Sequence, residues 1–359
     1  MNACERFDRT IEFQLPDRVL TWDAITNDRV YQVYGGAGEN LMERTARTCR
    51  AIGLDATTYI HDPQRHWMVN LLDTWAEFMN LDRSEWEATP AGETWWITRR
   101  PFRSLEEARR YLPRLASRQA IANWYVPFLK EAREVFYPQT VFVAEVLGPV
   151  TFACQFLDMQ QFCTAIIDEP ELVHSLLEVA TEWCRTCTEL YAAHPTAPAL
   201  LLSEDIAYKT SLLFSPAFLR RELLPRLKYI YEPLKRVGLK CLYHSDGHLH
   251  EILDDLVFDV GIDGLNPLEP MAGMDPAHLR KRYPNLILLG GVDTSAILPL
   301  GTAKDIEKAV RTIIREVGPS GGLGVGSSNE VHPSVPVENA VTMYKAVQRF
   351  GSYPISPDV

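Results

Sequence analysis

From about residue 139 onward, short apolar runs alternate with longer amphipathic stretches, and the runs end on residues able to carry chemistry. The runs are Val141-Phe142-Val143-Ala144-Glu145, Leu200-Leu201-Leu202-Ser203-Glu204-Asp205, Cys241-Leu242-Tyr243-His244 and Asp263-Gly264-Leu265-Asn266. Leu286-Ile287-Leu288-Leu289-Gly290-Gly291-Val292-Asp293 and Leu323-Gly324-Val325-Gly326-Ser327-Ser328, followed by Asn329, complete the series. Strand-length runs separated by helix-length stretches indicate βα units around a parallel sheet. A lone acid after a strand is explained equally well as the cap of the next helix. Six polar strand ends in succession fit a (β/α)8 barrel, whose active site is built from the strand ends and the loops after them. The chain is therefore read as an α/β protein, one (β/α)8 TIM barrel over residues 1–359, with its site centred on His244-Ser245-Asp246-Gly247-His248.

Residues 1–138 are less regular than 139–350. Segments 18–23 and 57–61 are expected as the first two strands, separated by a glycine-rich turn at 35–38 and a helix over 40–52. Residues 86–102 alternate around Pro90-Ala91-Gly92, which predicts an inserted β-hairpin. Further helices are expected at 159–168, 170–193 and from Ser215-Pro216 to about Val237, with serine as N-cap, proline at the first helical position and Gly238 as the stop. Trp95, Trp96, Trp124 and Tyr125 read as core aromatics before they read as the wall of a pocket for a flat ligand.

The formal charge of -11 leaves no broad basic field for nucleic acid and disfavours an acidic membrane surface. Nowhere do about 18 apolar residues run uninterrupted, and a cytoplasmic location is expected. The seven cysteines are scattered and odd in number, which predicts free thiols. Cys184 and Cys187 form a C-x-x-C with no second pair and no nearby histidine, so they are not read as a redox or zinc motif. The glycine run at 318–326 has neither the spacing nor the Lys-Ser/Thr of a phosphate-binding loop.

His244 and Asp246 lie two apart at a strand end, so their side chains project to one side and can converge on an ion or a proton. Imidazole and carboxylate together suit zinc, with Glu204, Asp205 or Glu145 as further oxygen ligands. A hydrogen-bonded His-Asp pair that only shapes the loop remains the alternative. His248 is better placed for the site than His250, which points to another face.

Several stretches resemble the uroporphyrinogen decarboxylase superfamily, which includes decarboxylases and corrinoid-dependent methyltransferases. They are Leu147-Gly148-Pro149-Val150-Thr151, Asp205 through Ser215-Pro216-Ala217-Phe218, His244-Ser245-Asp246-Gly247 and Gly261-Ile262-Asp263-Gly264-Leu265-Asn266-Pro267, with Gly290-Gly291-Val292-Asp293 and Pro333-Ser334-Val335-Pro336-Val337-Glu338-Asn339. The early Arg-Gln-Ala-Gly-Arg of the decarboxylases is missing, the first strands end in Asp23 and His61, and the decarboxylases' late histidine aligns near Asn329. The thiol-methylating members hold zinc through His-x-Cys and a second Cys; the matching positions here are His244, Asp246 and Asn329. Oxygen ligands leave the ion a stronger Lewis acid than thiolates do, which favours polarising an oxygen.

The resemblance thus implies an O-demethylating methyltransferase acting on a methyl ether or similar donor. Its methyl acceptor would be cobalamin or another corrinoid on a partner protein. It implies catalytic roles for His244, Asp246, Asp205 and Tyr208, and a zinc site of His244, Asp246 and Glu204. Glu145, Asn266, Asp293, Asn329 and Trp22 would contact substrate. The first alternative is decarboxylation of a tetrapyrrole, which a pocket lined by arginines would favour; Arg99, Arg100 and Arg103 form the only early cluster and read first as a solvated hairpin edge. The second is a non-catalytic corrinoid or tetrapyrrole carrier. A homo-oligomer is left open.

Overall fold

The computed structural model describes residues 1–38, 40–62, 67–91, 94–356 and 358–359. Its main sheet is assembled from β1 (Leu20–Asp23), β2 (Ala56–Thr57), β3 (Val141–Phe142 continued by Glu145–Leu147), β4 (Ala199–Ser203) and β5 (Lys240–His244). The remaining strands are β6 (Gly264–Asn266), β7 (Ile287–Val292) and β8 (Leu323–Ser327). Every pairing between them is parallel, and the order runs β3, β2, β1, β8, β7, β6, β5, β4 and back to β3. The first half of β3 bonds to β2 and its second half to β4, bridged by Val143 N to Thr57 O at 2.9 Å and Leu201 N to Ala144 O at 3.0 Å. Strand β3 thus closes the sheet into a ring of eight, the (β/α)8 barrel.

Period-two alternation sorts the strand residues into two buried sets. Leu20, Trp22, Ala56, Val141, Val143, Ala199, Leu201, Leu242, Ile287 and Leu289 pack together inside the ring. Their neighbours Leu200, Leu202, Cys241, Tyr243, Leu265, Leu288, Leu323 and Val325 belong to the larger core between sheet and helices. Phe7 and Ile11 join the interior set from helix Ala3–Ile11, which sequence reasoning missed. A readable signal was present, because Asn2 and Glu5 form a capping box at its start.

Most other elements fall where the sequence places them. Helix Leu41–Ile52 starts at its Asn40 cap, the hairpin pairs Glu87–Ala91 with Thr94–Arg99, and helices Met159–Asp168 and Pro170–Ala193 are present. The helix capped by Ser215 runs on to Arg236 through a π-helical stretch, Leu219–Leu223. The second strand is a correction: β2 is only Ala56–Thr57, not 57–61. His61 leaves the sheet, stacks on Tyr31 with ring centroids 4.2 Å apart and reaches Asp28 Oδ1 at 2.5 Å. All seven cysteines are free.

Candidate active site

Register decides which side chains meet at the carboxyl end of the barrel. Ser203, His244 and Asn266 are direct partners across β4, β5 and β6, so they form one row. That row lies one pleat above Leu201 and Leu242 of the interior. Glu145 continues the inward phase of Val141 and Val143, and Asp205 and Asp246 continue those of β4 and β5. They open into a cavity of about 490 Å³ lined also by Trp22, Asn329 and Glu330. Its outer wall comes from helices Trp67–Phe78, Arg118–Phe136 and Pro170–Ala193, which contribute Trp75, Trp124, Tyr125 and Trp183. The cavity therefore takes in Trp124 and Tyr125 of the aromatic set; the side chains of Trp95 and Trp96 lie outside the described residues.

The centre is a triad. A ligand atom from each of Asp205, His244 and Asp246 lies within 4.8 Å of the others. Asn266 donates Nδ2 to Leu289 O at 3.3 Å, which leaves its Oδ1 to accept from His244 Nδ1 at 2.8 Å. The pairing assigns the proton to Nδ1 and turns Nε2 towards Asp246. Nε2 and Asp246 Oδ1 are 3.7 Å apart, too far for a hydrogen bond, and Oδ1 is buried with no hydrogen-bond partner among the described residues. The other oxygen, Oδ2, accepts from Asn329 Nδ2 at 2.9 Å.

Burial lowers the imidazole pKa, but Asp246, then Asp205 and Glu145, reverse it, so His244 is held above its ordinary value. Burial likewise raises the Asp246 carboxyl, and Asp205, Glu269 and Glu330 add to the rise against the pull of His244. Both groups are thus shifted the same way and hold their protons further into the neutral range than free side chains do.

Three expected site residues are placed elsewhere. Glu204 is not with the Asp205–His244–Asp246 triad: it belongs to the outward phase of β4, is fully buried, and accepts from Val150 N at 2.9 Å and Thr151 N at 2.7 Å. It is spent holding the first turn of helix Pro149–Cys154. Asp293 accepts from Ser295 N and Ala296 N at 3.0–3.1 Å and does not line the cavity. Tyr208, on a small hairpin, is 65% exposed and outside the cavity wall. His248 is engaged with Ala272 O and His250 with Gly273 O. Arg99, Arg100 and Arg103 bond around the inserted hairpin, to Ser84 O, Ile97 O and Glu85.

Sequence reasoning missed Thr58, Tyr59, Ser203 and Glu330, and the helix-borne Trp75 and Trp183. Glu330 was within reach, since it follows Asn329 after a strand end; aromatics on helices carry no mark that separates pocket wall from core.

Burial raises the Glu204 pKa to about 7, against the lowering hydrogen bonds of Thr151 and Val150. A carboxyl raised on folding contributes stability in full below its free value of 4.5, and that contribution is lost as pH rises through about 7. Glu204→Ala is expected to cost about 1–3 kcal/mol by leaving two buried N–H groups unpaired. Urea titrations should show the gap to wild type narrowing from about pH 5 to about pH 8.

The family comparison agrees with the barrel fold. The uroporphyrinogen decarboxylase (URO-D) family profile matches residues 92–350, and the chain belongs to that family. Among solved structures, a methyltransferase from Methanosarcina mazei is similar at TM-score 0.72 and 19% identity, over 98% of this chain and 99% of that one. A xylose isomerase-like TIM barrel protein from Mycobacterium smegmatis, in complex with magnesium, aligns at TM-score 0.40 and 12% identity over 92% and 97% of the two chains. No curated protein matches the chain. No helix among the described residues is long and apolar enough to cross a membrane.

Proposed function

We propose that the chain is a corrinoid-dependent methyltransferase of the O-demethylating type, which takes a methyl group from an ether or similar O-methyl donor and passes it to a corrinoid carried by a separate protein. The observation that carries this reading is the cluster of Asp205, His244 and Asp246 at the floor of the cavity. One imidazole and two carboxylates fit a borderline ion such as zinc, and the buried, unpartnered Oδ1 of Asp246 is the atom such an ion would satisfy. Bound there, zinc supplies Lewis acidity towards an ether oxygen.

The chain's own groups do the rest. Asn266 fixes the His244 tautomer, and Asn329 holds Asp246 by its other oxygen. The aromatic wall keeps water from the reacting atoms. As the O–CH3 bond breaks, its electron pair stays on oxygen and the methyl carbon bonds to the reduced cobalt of the partner's corrinoid. The oxygen then takes up one proton from solvent as the product leaves, because binding of the ion has displaced the protons of His244 and Asp246.

The methyltransferase activity named for the Methanosarcina mazei protein agrees with this reading. Decarboxylation of a tetrapyrrole fits less well, because no lysine or arginine is among the described residues lining the cavity, and a polyacid needs such partners. Incubating the protein with cob(I)alamin and a panel of methyl ethers tests the proposal. The expected products are methylcobalamin, seen by its absorption spectrum, and the matching alcohol or phenol in equal amount. No transfer from any donor, with or without added zinc, would sink the reading.

A further inference from the structure

The cavity is acidic and aromatic at once. Glu145, Asp205, Asp246 and Glu330 line it together with Trp22, Tyr59, Trp75, Trp124, Tyr125 and Trp183. An ion held by Asp205, Asp246 and His244 would balance the first two carboxylates but not Glu145 and Glu330. Glu145 accepts from Ser203 Oγ and from Thr58 Oγ1, the latter at 3.2 Å, but these hydroxyls are neutral. Among the described residues, neither Glu145 nor Glu330 has an ion-pair partner from lysine or arginine within 4.0 Å. Burial raises the Glu330 carboxyl against the lowering effects of His332, a hydrogen bond with Thr26 and His244, and Glu145 adds to the rise. Tyr59 follows Thr58, which donates to Glu145, and Tyr59, Glu145 and Glu330 all line the same cavity.

A carboxylate pair beside an aromatic face is the chemistry that binds an ammonium group, through charge and through cation–π attraction. We propose that the methyl donor is a cation, whose ammonium group lies against Tyr59 between Glu145 and Glu330 while its O-methyl group faces the Asp205–His244–Asp246 cluster. The same charge pattern rejects carboxylated donors. This inference rests on reading the cavity as a methyl-donor site, but it concerns which donor is bound and has its own readout.

The test is binding, followed by quenching of tryptophan fluorescence and by calorimetry, with three matched ligands: 4-methoxybenzyltrimethylammonium, 4-methylanisole and 4-methoxybenzoate. The cation should bind about tenfold more tightly than the neutral ether, and the anion more weakly than either. Glu330→Gln and Glu145→Gln should each reduce the cation's affinity about fivefold more than that of 4-methylanisole, which also reports that the variant cavity is folded. Equal binding of the three ligands, preference for the anion, binding of none, or variants that affect cation and neutral ether alike would overturn the inference. Selective cation binding without methyl transfer would leave the cation-binding site standing and defeat the methyltransferase reading. Transfer from neutral ethers with no preference for the cation would do the reverse.

Discussion

Protein purified without chelator is expected to carry about one zinc per chain, and His244→Ala to carry none, because the triad then keeps only two carboxylates. Asp246→Asn should weaken the ion by about 10- to 100-fold, since it removes the charge of an oxygen that has no other partner. The effect of pH has a definite sign. His244 and Asp246 are both held above their ordinary pKa values, so both retain protons further into the neutral range than free side chains do. Zinc needs the neutral imidazole and the ionised carboxylate, so binding displaces these protons. Affinity should rise with pH across the neutral range and fall roughly 10- to 100-fold for each pH unit lost below it, according to whether one or two protons are displaced. Elemental analysis and competition with a chromogenic chelator at several pH values check both statements. Zinc retained by His244→Ala would show that the ion is held elsewhere.

The largest stability effect is expected at Gly326. It lies in β8 between β1 and β7, where a Cβ would stand 1.6 Å from the carbonyl oxygen of Trp22 and 3.1 Å from Asp23 Oδ2. Backbone cannot yield as a flexible side chain does. The methyl of Gly326→Ala must therefore push β1 away at the seam, where Asp23 takes hydrogen bonds from Ser327 N at 2.9 Å, Ser327 Oγ and Tyr344 OH. About 3 kcal/mol, the upper part of the range for overpacking, is the expected loss. Because Trp22 also lines the cavity, ligand binding should weaken in the same variant. Urea denaturation followed by circular dichroism measures the first effect. An unchanged midpoint would contradict the close approach of β1 and β8.

Seven of the eight barrel strands were visible as short apolar runs, because a strand buried on both faces has few other ways to be written. The short β2 was misplaced: beyond Thr57 the residues that look strand-like, Tyr59 to His61, serve the cavity wall and a stack on Tyr31. Adjacent acids posed a harder problem. Glu204 and Asp205 follow a run of three leucines, which conceals the phase of the alternation; the structure sets Leu201, Ser203 and Asp205 inward and Glu204 outward. On β7 the phase itself fails. Gly290 and Gly291 adopt φ of +111° and +110°, which breaks the alternation before it reaches Asp293. His244, Asp246 and Glu145 were legible because their strands keep the period to the end. The aromatic wall was not, since it depends on how three helices lean over the barrel mouth.

The most direct measurement of the central claim is a single-turnover transfer of a 13C-labelled methyl group from an O-methyl donor to cob(I)alamin, followed by NMR, in wild type, Asp246→Asn and His244→Ala. The account predicts labelled methylcobalamin with wild type, a rate lowered by about 100-fold or more in Asp246→Asn and no transfer above background in His244→Ala. Equal transfer by all three proteins would contradict it, because the Asp205–His244–Asp246 cluster would then have no part in the reaction.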